Sequence, residues 1–476
     1  MQYGTAIIRD NISDAQKTLL RIKNQIVDFG NLFVLIKNEY DDNYNITNDF
    51  FDVIEYGEKI GYAYINTIVV PTKEKLDVEL PDNVLYIVWF AKNRQNYFFN
   101  KDSLREKHIW KDVEWGKREK NYNPKGKDPG NVWIPTKDDG KANITEHILL
   151  EIPEIIEKLY KCANQNRLKT LFISNISKDI ELCNENMQFE YSKNEIKNYY
   201  FPAQRVQIAC EAETKYGNEL FAKIIWGTSE NMTEISNETI DLVVTSPPYW
   251  DLKNYFKEGQ IGQESYQTYL ARMYKVWSEC FEKLTKKGSL WININIRAKN
   301  NKTILLPKDF VNQCKKIGFY YKGILIWHKS SGIPTHDKNI VDRHEYVLVF
   351  SKSKNLIINE KIYSFADYKN KTINGGLFWN INRKAGSVGK DFIHPAIYPN
   401  ELVYRIVEIC TKENQTILDP FLGSGTTLLA SVLSDRNCYG YEYNEGFKNL
   451  IFSRINNEVG LMKNLKVCQI QSSQKL

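Results

Sequence analysis

Gln415-Thr416-Ile417-Leu418-Asp419-Pro420-Phe421-Leu422-Gly423-Ser424-Gly425-Thr426-Thr427 is the stretch on which the fold of this chain turns. Gln415 to Leu418 reads as a short buried strand, Thr426 through Leu433 as an apolar helix, and the glycines between them as a loop of bare backbone. A ligand can lie against such a loop at the end of the strand. Further on, Cys438-Tyr439-Gly440-Tyr441 reads as the next strand, and Glu442 stands at its end. That is about 20 residues beyond the loop, where a carboxylate can accept hydrogen bonds from ribose hydroxyls. Strand, glycine loop, helix and acid together predict a site for an adenosine-bearing cofactor. No lysine follows the glycines, so the loop is not a P-loop. Gly423-Ser424-Gly425 alone would be a tight turn; Asp419-Pro420-Phe421 and the position of Glu442 carry the cofactor reading.

Upstream, the strand Asp241-Leu242-Val243-Val244 stops abruptly at Thr245-Ser246-Pro247-Pro248-Tyr249-Trp250. Two prolines fix φ and remove two N–H donors, which leaves a rigid turn with outward carbonyls. The Ser246 hydroxyl and the Pro247 carbonyl can both accept hydrogen bonds from an amine, Pro248 stiffens the turn, and Tyr249 offers a flat face to a base. An exocyclic amine of cytosine or adenine is a poor nucleophile because its lone pair is delocalised into the ring. Two acceptors holding its hydrogens draw the nitrogen toward tetrahedral geometry, a preorganised electrostatic effect. Such a base has to be flipped from the duplex before it can reach a pocket. The bland alternative is a Pro-rich strand terminator.

Two long stretches of the chain run in parallel, which points to a duplication rather than to the pattern any two α/β segments share. Phe29-Gly30-Asn31-Leu32-Phe33-Val34-Leu35-Ile36, Lys59-Ile60-Gly61-Tyr62 and Val84 through Lys92 run parallel to Lys287 through Ile294, Lys316-Ile317-Gly318-Phe319 and Tyr346 through Lys352. Gly130-Asn131-Val132-Trp133 answers Gly376-Leu377-Phe378-Trp379, and a helix from Pro153 to Cys162 answers one from Pro399 to Cys410. Short β-branched and aromatic runs alternating with helical segments predict an α/β fold with buried strands. The copies divide near residue 200. The first lacks both special loops, its counterpart of the glycine loop being about Leu171 to Asn175.

The bulk numbers fit two or three domains of a globular protein: 476 residues, 42% hydrophobic and 26% charged. No stretch approaches the roughly 18 apolar residues of a membrane span, and the start shows no secretion segment, so a cytoplasmic protein is expected. Eight scattered cysteines without a CxxC pair argue against a zinc site, and no metal is expected. A net charge of +6 is compatible with nucleic acid without establishing it.

The paired motifs resemble those of the DNA amino-methyltransferases. Thr245 to Trp250 looks like that family's catalytic motif and Asp419 to Thr427 like its cofactor motif. His394-Pro395-Ala396, followed by Tyr398-Pro399, looks like the segment that holds the cofactor's methionine end. Catalytic motif first and cofactor motif later is the order of the β group, the resemblance covering about residues 205–460. It implies a Rossmann-like S-adenosylmethionine-dependent methyltransferase sheet in residues 201–476, a type II restriction-modification methyltransferase, and double-stranded DNA as partner, with a cognate restriction endonuclease as a further one. Ser246, Pro247, Pro248 and Tyr249 are then the catalytic residues. Asp419, Phe421, Gly423, Ser424, Gly425, Thr426, Glu442, His394 and Pro395 hold S-adenosylmethionine. Ser before Pro-Pro-Tyr is typical of members acting on N4 of cytosine; members acting on N6 of adenine are the runner-up.

Residues 1–200 depart from the family. They are expected to be a degenerate methyltransferase-like half, lacking catalytic and cofactor loops, that packs on the active copy as an internal pseudo-dimer and helps hold DNA. The chain is then a monomer of that kind or a homodimer. Its loop from Lys101 through Lys141 interleaves Trp110, Trp115, Tyr122, Lys125 and Lys127, which suits phosphate contact plus base stacking and equally an ordinary solvated loop. In the active half, target recognition is placed within 329–390, with Trp250, Lys329, Ser330, Arg343 and Arg383 as the leading DNA contacts and His328, Ser331, Thr335 and His336 beside them. Two readings of other classes compete: a non-catalytic DNA-binding scaffold, and methylation of a protein or RNA amide.

Overall fold

The computed structural model describes residues 2–76, 78–106, 125–138, 144–164, 168–192, 219–252, 257–329, 340–359, 376–382, 398–459 and 465–472. The first half opens with β1 (Tyr3–Arg9), α1 (Ile12–Ile22), β2 (Ile26–Ile36) and a hairpin of β3 (Glu39–Tyr40) and β4 (Ile46–Asn48). It continues with α2 (Phe50–Lys59), β5 (Ala63–Leu76), β6 (Asp82–Ala91), the short pair β7 (Thr136–Asp138) and β8 (Ile144–His147), α3 (Ile152–Ala163), β9 (Thr170–Ser174) and β10 (Met187–Tyr191). The second half runs β11 (Leu220–Trp226), β12 (Ile240–Thr245), α4 (Tyr266–Lys283), β13 (Leu284–Ile294), a hairpin of β14 (Arg297–Lys299) and β15 (Lys302–Ile304), α5 (Leu306–Ile317), β16 (Tyr320–His328) and β17 (His344–Ser351). Then come β18 (Phe378–Asn380), α6 (Asn400–Cys410), β19 (Thr416–Asp419), α7 (Thr426–Leu433), β20 (Asn437–Glu442), α8 (Lys448–Arg454) and β21 (Leu465–Gln471).

Local chemistry sets the element ends. Asn11 and Ser265 accept the backbone N–H groups of Asp14 and Thr268 at the starts of α1 and α4, and Asp49 and Asp52 cap α2 reciprocally. Gly318 closes α5 at φ 119°, a left-handed conformation that suits glycine. β6 is buried along its whole length, as its unbroken apolar run from Val84 to Ala91 requires of a strand covered on both faces.

Among the described residues the first half forms a six-stranded sheet, β10-β9-β1-β2-β6-β5, and the second a nine-stranded one, β18-β16-β17-β13-β12-β19-β20-β11-β21. Within the second, β20-β19-β12-β13-β17-β16 repeats the first strand for strand, with the same parallel and antiparallel senses. Even the irregularities coincide. The β1–β2 pairing slips between Tyr3 and Thr5 and the β12–β13 pairing between Ile240 and Leu242; β5–β6 slips between Tyr64 and Asn66 and β16–β17 between Tyr321 and Gly323. Counting from these shared bulges, Arg9 corresponds to Ser246, Leu35 to Asn293, Leu85 to Glu345, Phe172 to Asp419 and Tyr191 to Glu442. The second half is a mixed, largely parallel α/β sheet of Rossmann-like type. Between β9 and β10 the first half has a single 3-10 turn, Ser177–Leu182, where the second has the glycine loop and α7.

The halves touch through corresponding parts. Lys308 at the start of α5 donates to Asp52 at the start of α2, 2.5 Å away. The β3–β4 turn receives the Lys322 ammonium of β16 on the Asn43 carbonyl at 2.9 Å, while Thr303 of the β14–β15 hairpin donates to Glu58 of α2 at 2.6 Å. Phe50 and Phe51 pack on Tyr346, and Phe50 stacks on Tyr86, the residue that corresponds to Tyr346. The meeting of α2 with its own counterpart α5 is a contact of the kind an isologous pair makes. One apolar cluster, including Phe50, Tyr86, Leu290 and Tyr346, runs across both halves. No helix among the described residues is long and apolar enough to cross a membrane.

Candidate active site

β12 and β19 are parallel neighbours, so the Ser246 and glycine loops leave the same edge of the sheet side by side. Asp419, at the end of β19 and fully buried, ties them together. Its Oδ1 accepts from the Thr245 hydroxyl at 2.7 Å and the Phe421 N–H at 3.0 Å; its Oδ2 accepts from the Thr427 hydroxyl at 2.6 Å and from Tyr398 at 3.3 Å. Burial pushes its carboxyl above the usual range, against the pull of these hydrogen bonds. Asp419 therefore sits beneath the loops, sealed from solvent.

Above it the chain turns through Gly423 and Gly425 at φ 54° and 81°. Glu442 faces this turn from the end of β20: one carboxylate oxygen accepts the Gly423 N–H at 2.8 Å and the other the Asn444 N–H at 2.7 Å. Burial raises its carboxyl to about 7. The fit to an adenosine-bearing cofactor is good. Gly423 stands part-exposed at the turn, and each Glu442 oxygen, holding one backbone N–H, keeps a lone pair for a ribose hydroxyl. Arg454, 2% exposed, braces the loop from α8. It donates to the Ser424 carbonyl at 2.8 Å, to the Ser424 and Thr426 hydroxyls at 3.1 Å each, and to Asn400 at 2.9 Å. Nothing in the local sequence marks this arginine, which reads as an ordinary helix-surface cation.

The Ser246 loop is held as firmly. Tyr269 donates to the Pro248 carbonyl at 2.6 Å, Arg297 to the Tyr249 carbonyl at 2.7 Å, and the Trp250 indole to the Glu264 carbonyl at 2.8 Å. Trp250 itself has φ 50°, and the Lys299 ammonium lies 4.0 Å from its ring centroid. Behind the loop is a polar network that sequence reasoning missed. The Asn293 amide donates to Ser246 Oγ at 3.3 Å, to the Tyr249 hydroxyl at 3.1 Å and to Glu345 at 2.8 Å. Tyr249 also donates to Glu345 at 2.8 Å, and Lys329 to its other oxygen at 2.9 Å. Burial alone would raise the Glu345 carboxyl, but Lys329 and the hydrogen bonds from Lys329, Tyr249 and Asn293 hold it below its ordinary value.

Two residues expected at DNA are committed to protein partners. Lys329 is paired with Glu345. Arg343 lies between the halves, its N–H donating to Asn131 Oδ1 and its guanidinium to the Asp128 carbonyl, both at 2.8 Å. Its side chain fills the space above Gly130, where a Cβ would lie 2.5 Å from Arg343 Cδ. Ser330, Arg383, His394 and Pro395, His336 and its neighbours, and most of the aromatic loop of the first half lie outside the described residues.

This site coincides with a known family. The DNA methylase family profile matches residues 240–453, from the first residue of β12 to α8. The type II methyltransferase M.SmaI of Serratia marcescens is 31% identical over 269 residues, 49% of this chain and 90% of its own. M.MthZI of Methanothermobacter thermautotrophicus is 30% identical over 292 residues, 52% of this chain and 80% of its own. The chain belongs to the DNA methylase family. A solved structure, the cytosine-N4-specific PvuII DNA methyltransferase, covers 54% of the methylase at 18% identity and a TM-score of 0.41, a likeness too loose to add to the family match. The family profile lies wholly within the second half, where both special loops stand; the methylase is a DNA methyltransferase of the N6/N4 kind.

Proposed function

We propose that the methylase transfers a methyl group from S-adenosylmethionine to the exocyclic N4 of cytosine within a short duplex sequence, as the modifying partner of a restriction endonuclease. The supporting observation is the coupling of the two loops through Asp419, which holds Thr245, just before Ser246, and Thr427, just after the glycine turn. The cofactor supplies an electrophilic methyl on its sulfonium. The chain's residues do the rest: Glu442 takes the ribose hydroxyls and the glycine loop takes the body of the cofactor. Tyr249 stacks on the flipped base, and Ser246 Oγ with the Pro247 carbonyl orients its amine in line with the methyl. Ser at position 246 favours cytosine N4 over adenine N6. The test is mass spectrometry of nucleosides from duplex DNA treated with isotope-labelled S-adenosylmethionine, with Ser246→Ala as control. Labelled N4-methylcytosine that disappears in the control supports the proposal; labelled N6-methyladenine changes the base; no label and no cofactor binding leaves a DNA-binding scaffold.

The first half is, in the same proposal, a closed copy of the second that takes the place of a dimer partner and helps hold DNA. Where the active copy carries the Ser246 turn and the glycine loop, this copy is stapled. Arg9, in the place of Ser246, donates to Asp179 of the 3-10 turn at 2.7 and 2.8 Å, and Asp10 accepts from Asn175 at 2.9 Å and Ser192 at 2.5 Å. One S-adenosylmethionine per chain by calorimetry is expected; two would refute the closed copy.

A further inference from the structure

The repeat supplies an internal control for which polar groups the fold itself needs. At the register positions of Asn293 and Glu345, the first sheet carries Leu35 and Leu85, 1% and 5% exposed, in an ordinary apolar core. At that of Lys329, the first residue beyond β16, it carries Thr72. The same strands, with the same bulges, therefore assemble without an amide, a carboxylate or an ammonium at these points. In the second copy all three are present, joined, and aimed at the Ser246 loop. Polar groups placed in a low-dielectric interior that the fold can fill with leucine are poor stabilisers, which leaves the reaction as their reason.

We propose that Glu345, paired with Lys329, is a positioning residue that sets Tyr249 directly and Ser246 through Asn293. This inference rests on the methyl-transfer reading above. The geometry gives each link a task. A hydrogen bond from the Tyr249 hydroxyl to Glu345 Oε2 fixes the tilt of the ring that stacks on the base. The same oxygen accepts from the Asn293 amide, and being an acceptor only, it dictates that the amide's NH2 end faces Ser246. Ser246 Oγ thereby accepts one hydrogen bond from Asn293 and keeps its second lone pair for the target amine. Lys329 satisfies the other carboxylate oxygen and keeps the group ionised. A neutral amide at position 345 would let Asn293 turn over and present its oxygen to Ser246, whose hydroxyl would then donate to that oxygen and swing its lone pairs away from where the amine should sit.

The experiment compares wild type with Glu345→Gln and with the double variant Glu345→Leu/Lys329→Thr, which installs the closed copy's own residues and leaves no unpaired charge. Melting temperature and cofactor affinity report folding; burst titration counts active sites; kcat per active site, duplex KM and the fluorescence of 2-aminopurine at the target position report positioning. Both variants are expected to fold, bind S-adenosylmethionine as wild type does, and lose about 10²-fold in kcat per active site, the scale of a misplacement near 1 Å. The flipped 2-aminopurine is expected to be brighter because the ring that quenches it is no longer fixed. Wild-type kcat per active site in both variants would overturn the inference, as would a loss confined to melting temperature. A wild-type protein that methylates no DNA would instead overturn the methyl-transfer reading.

Discussion

Acidification from pH 8 to pH 6 is expected to loosen the methylase's grip on its cofactor by about an order of magnitude, through one group. Glu442 is 6% exposed and its carboxyl is raised to about 7, mainly by burial. The ribose hydroxyls donate hydrogen bonds, so the ionised carboxylate is the binding form. If only that form binds, the apparent Kd grows by the factor 1 + 10^(7 − pH), roughly 1.1 at pH 8, 2 at pH 7 and 11 at pH 6, or ~1.4 kcal/mol across the range. Binding near pH 7 should also release about half a proton. Stability of the cofactor-free protein runs the other way. The folded carboxyl lies above its unfolded value, so this group's contribution is fully present below the unfolded pKa and is lost as pH rises through about 7. The difference is at most ~3 kcal/mol at 1.36 kcal/mol per unit. Calorimetry in two buffers of different ionisation enthalpy reads both the Kd and the proton. Glu442→Gln should bind more weakly and with no pH dependence between 6 and 8. A flat wild-type profile, or a slope that survives in Glu442→Gln, would refute the assignment of the titration to this carboxylate.

Arg454→Met keeps the volume of the brace but removes its donors to Ser424, Thr426 and Asn400. A loss of about 3 kcal/mol in urea unfolding and a weaker cofactor Kd are expected. Lys308→Met leaves the Asp49 and Asp52 carboxylates of α2 without their cation from the other half. Asp49 is already raised to about 7 by burial despite Lys308, so removing Lys308 raises it further. The variant should be destabilised by about 3 kcal/mol at pH 8; the gap from wild type should narrow as pH falls toward 7, where the variant's Asp49 already holds its proton and the wild type's does not, and level off below 7 once both are protonated. Thermal melts at several pH values check the sign.

The glycine loop, the proline turn and the repeated order of elements were legible because each is written in short-range pattern: strand, turn glycine, helix, acid. Arg454 was not, because its i,i+4 pair with Glu458 marks it only as a helix-surface cation, while the other groups it holds lie 28, 30 and 54 residues away. Lys329 and Arg343 drew attention as cations near a DNA site, but charge says nothing of the carboxylate or carbonyl that will meet it. Asn293 and Glu345 were half legible. Aligning the two apolar runs sets Asn293 opposite Leu35, a polar residue where the twin strand runs apolar from Leu32 to Ile36. Only the register, which brings β13 beside β17, shows that Glu345 waits for it.

The contacts between the halves carry a consequence for dilution. Two separate subunits holding each other by helix against helix and hairpin against sheet would fall apart as their concentration dropped, taking their stability with it. Joined on one polypeptide, α2 and α5 meet as an intramolecular event, at an effective concentration that does not depend on how many molecules are present. A protein built this way keeps its paired architecture at a handful of copies per cell.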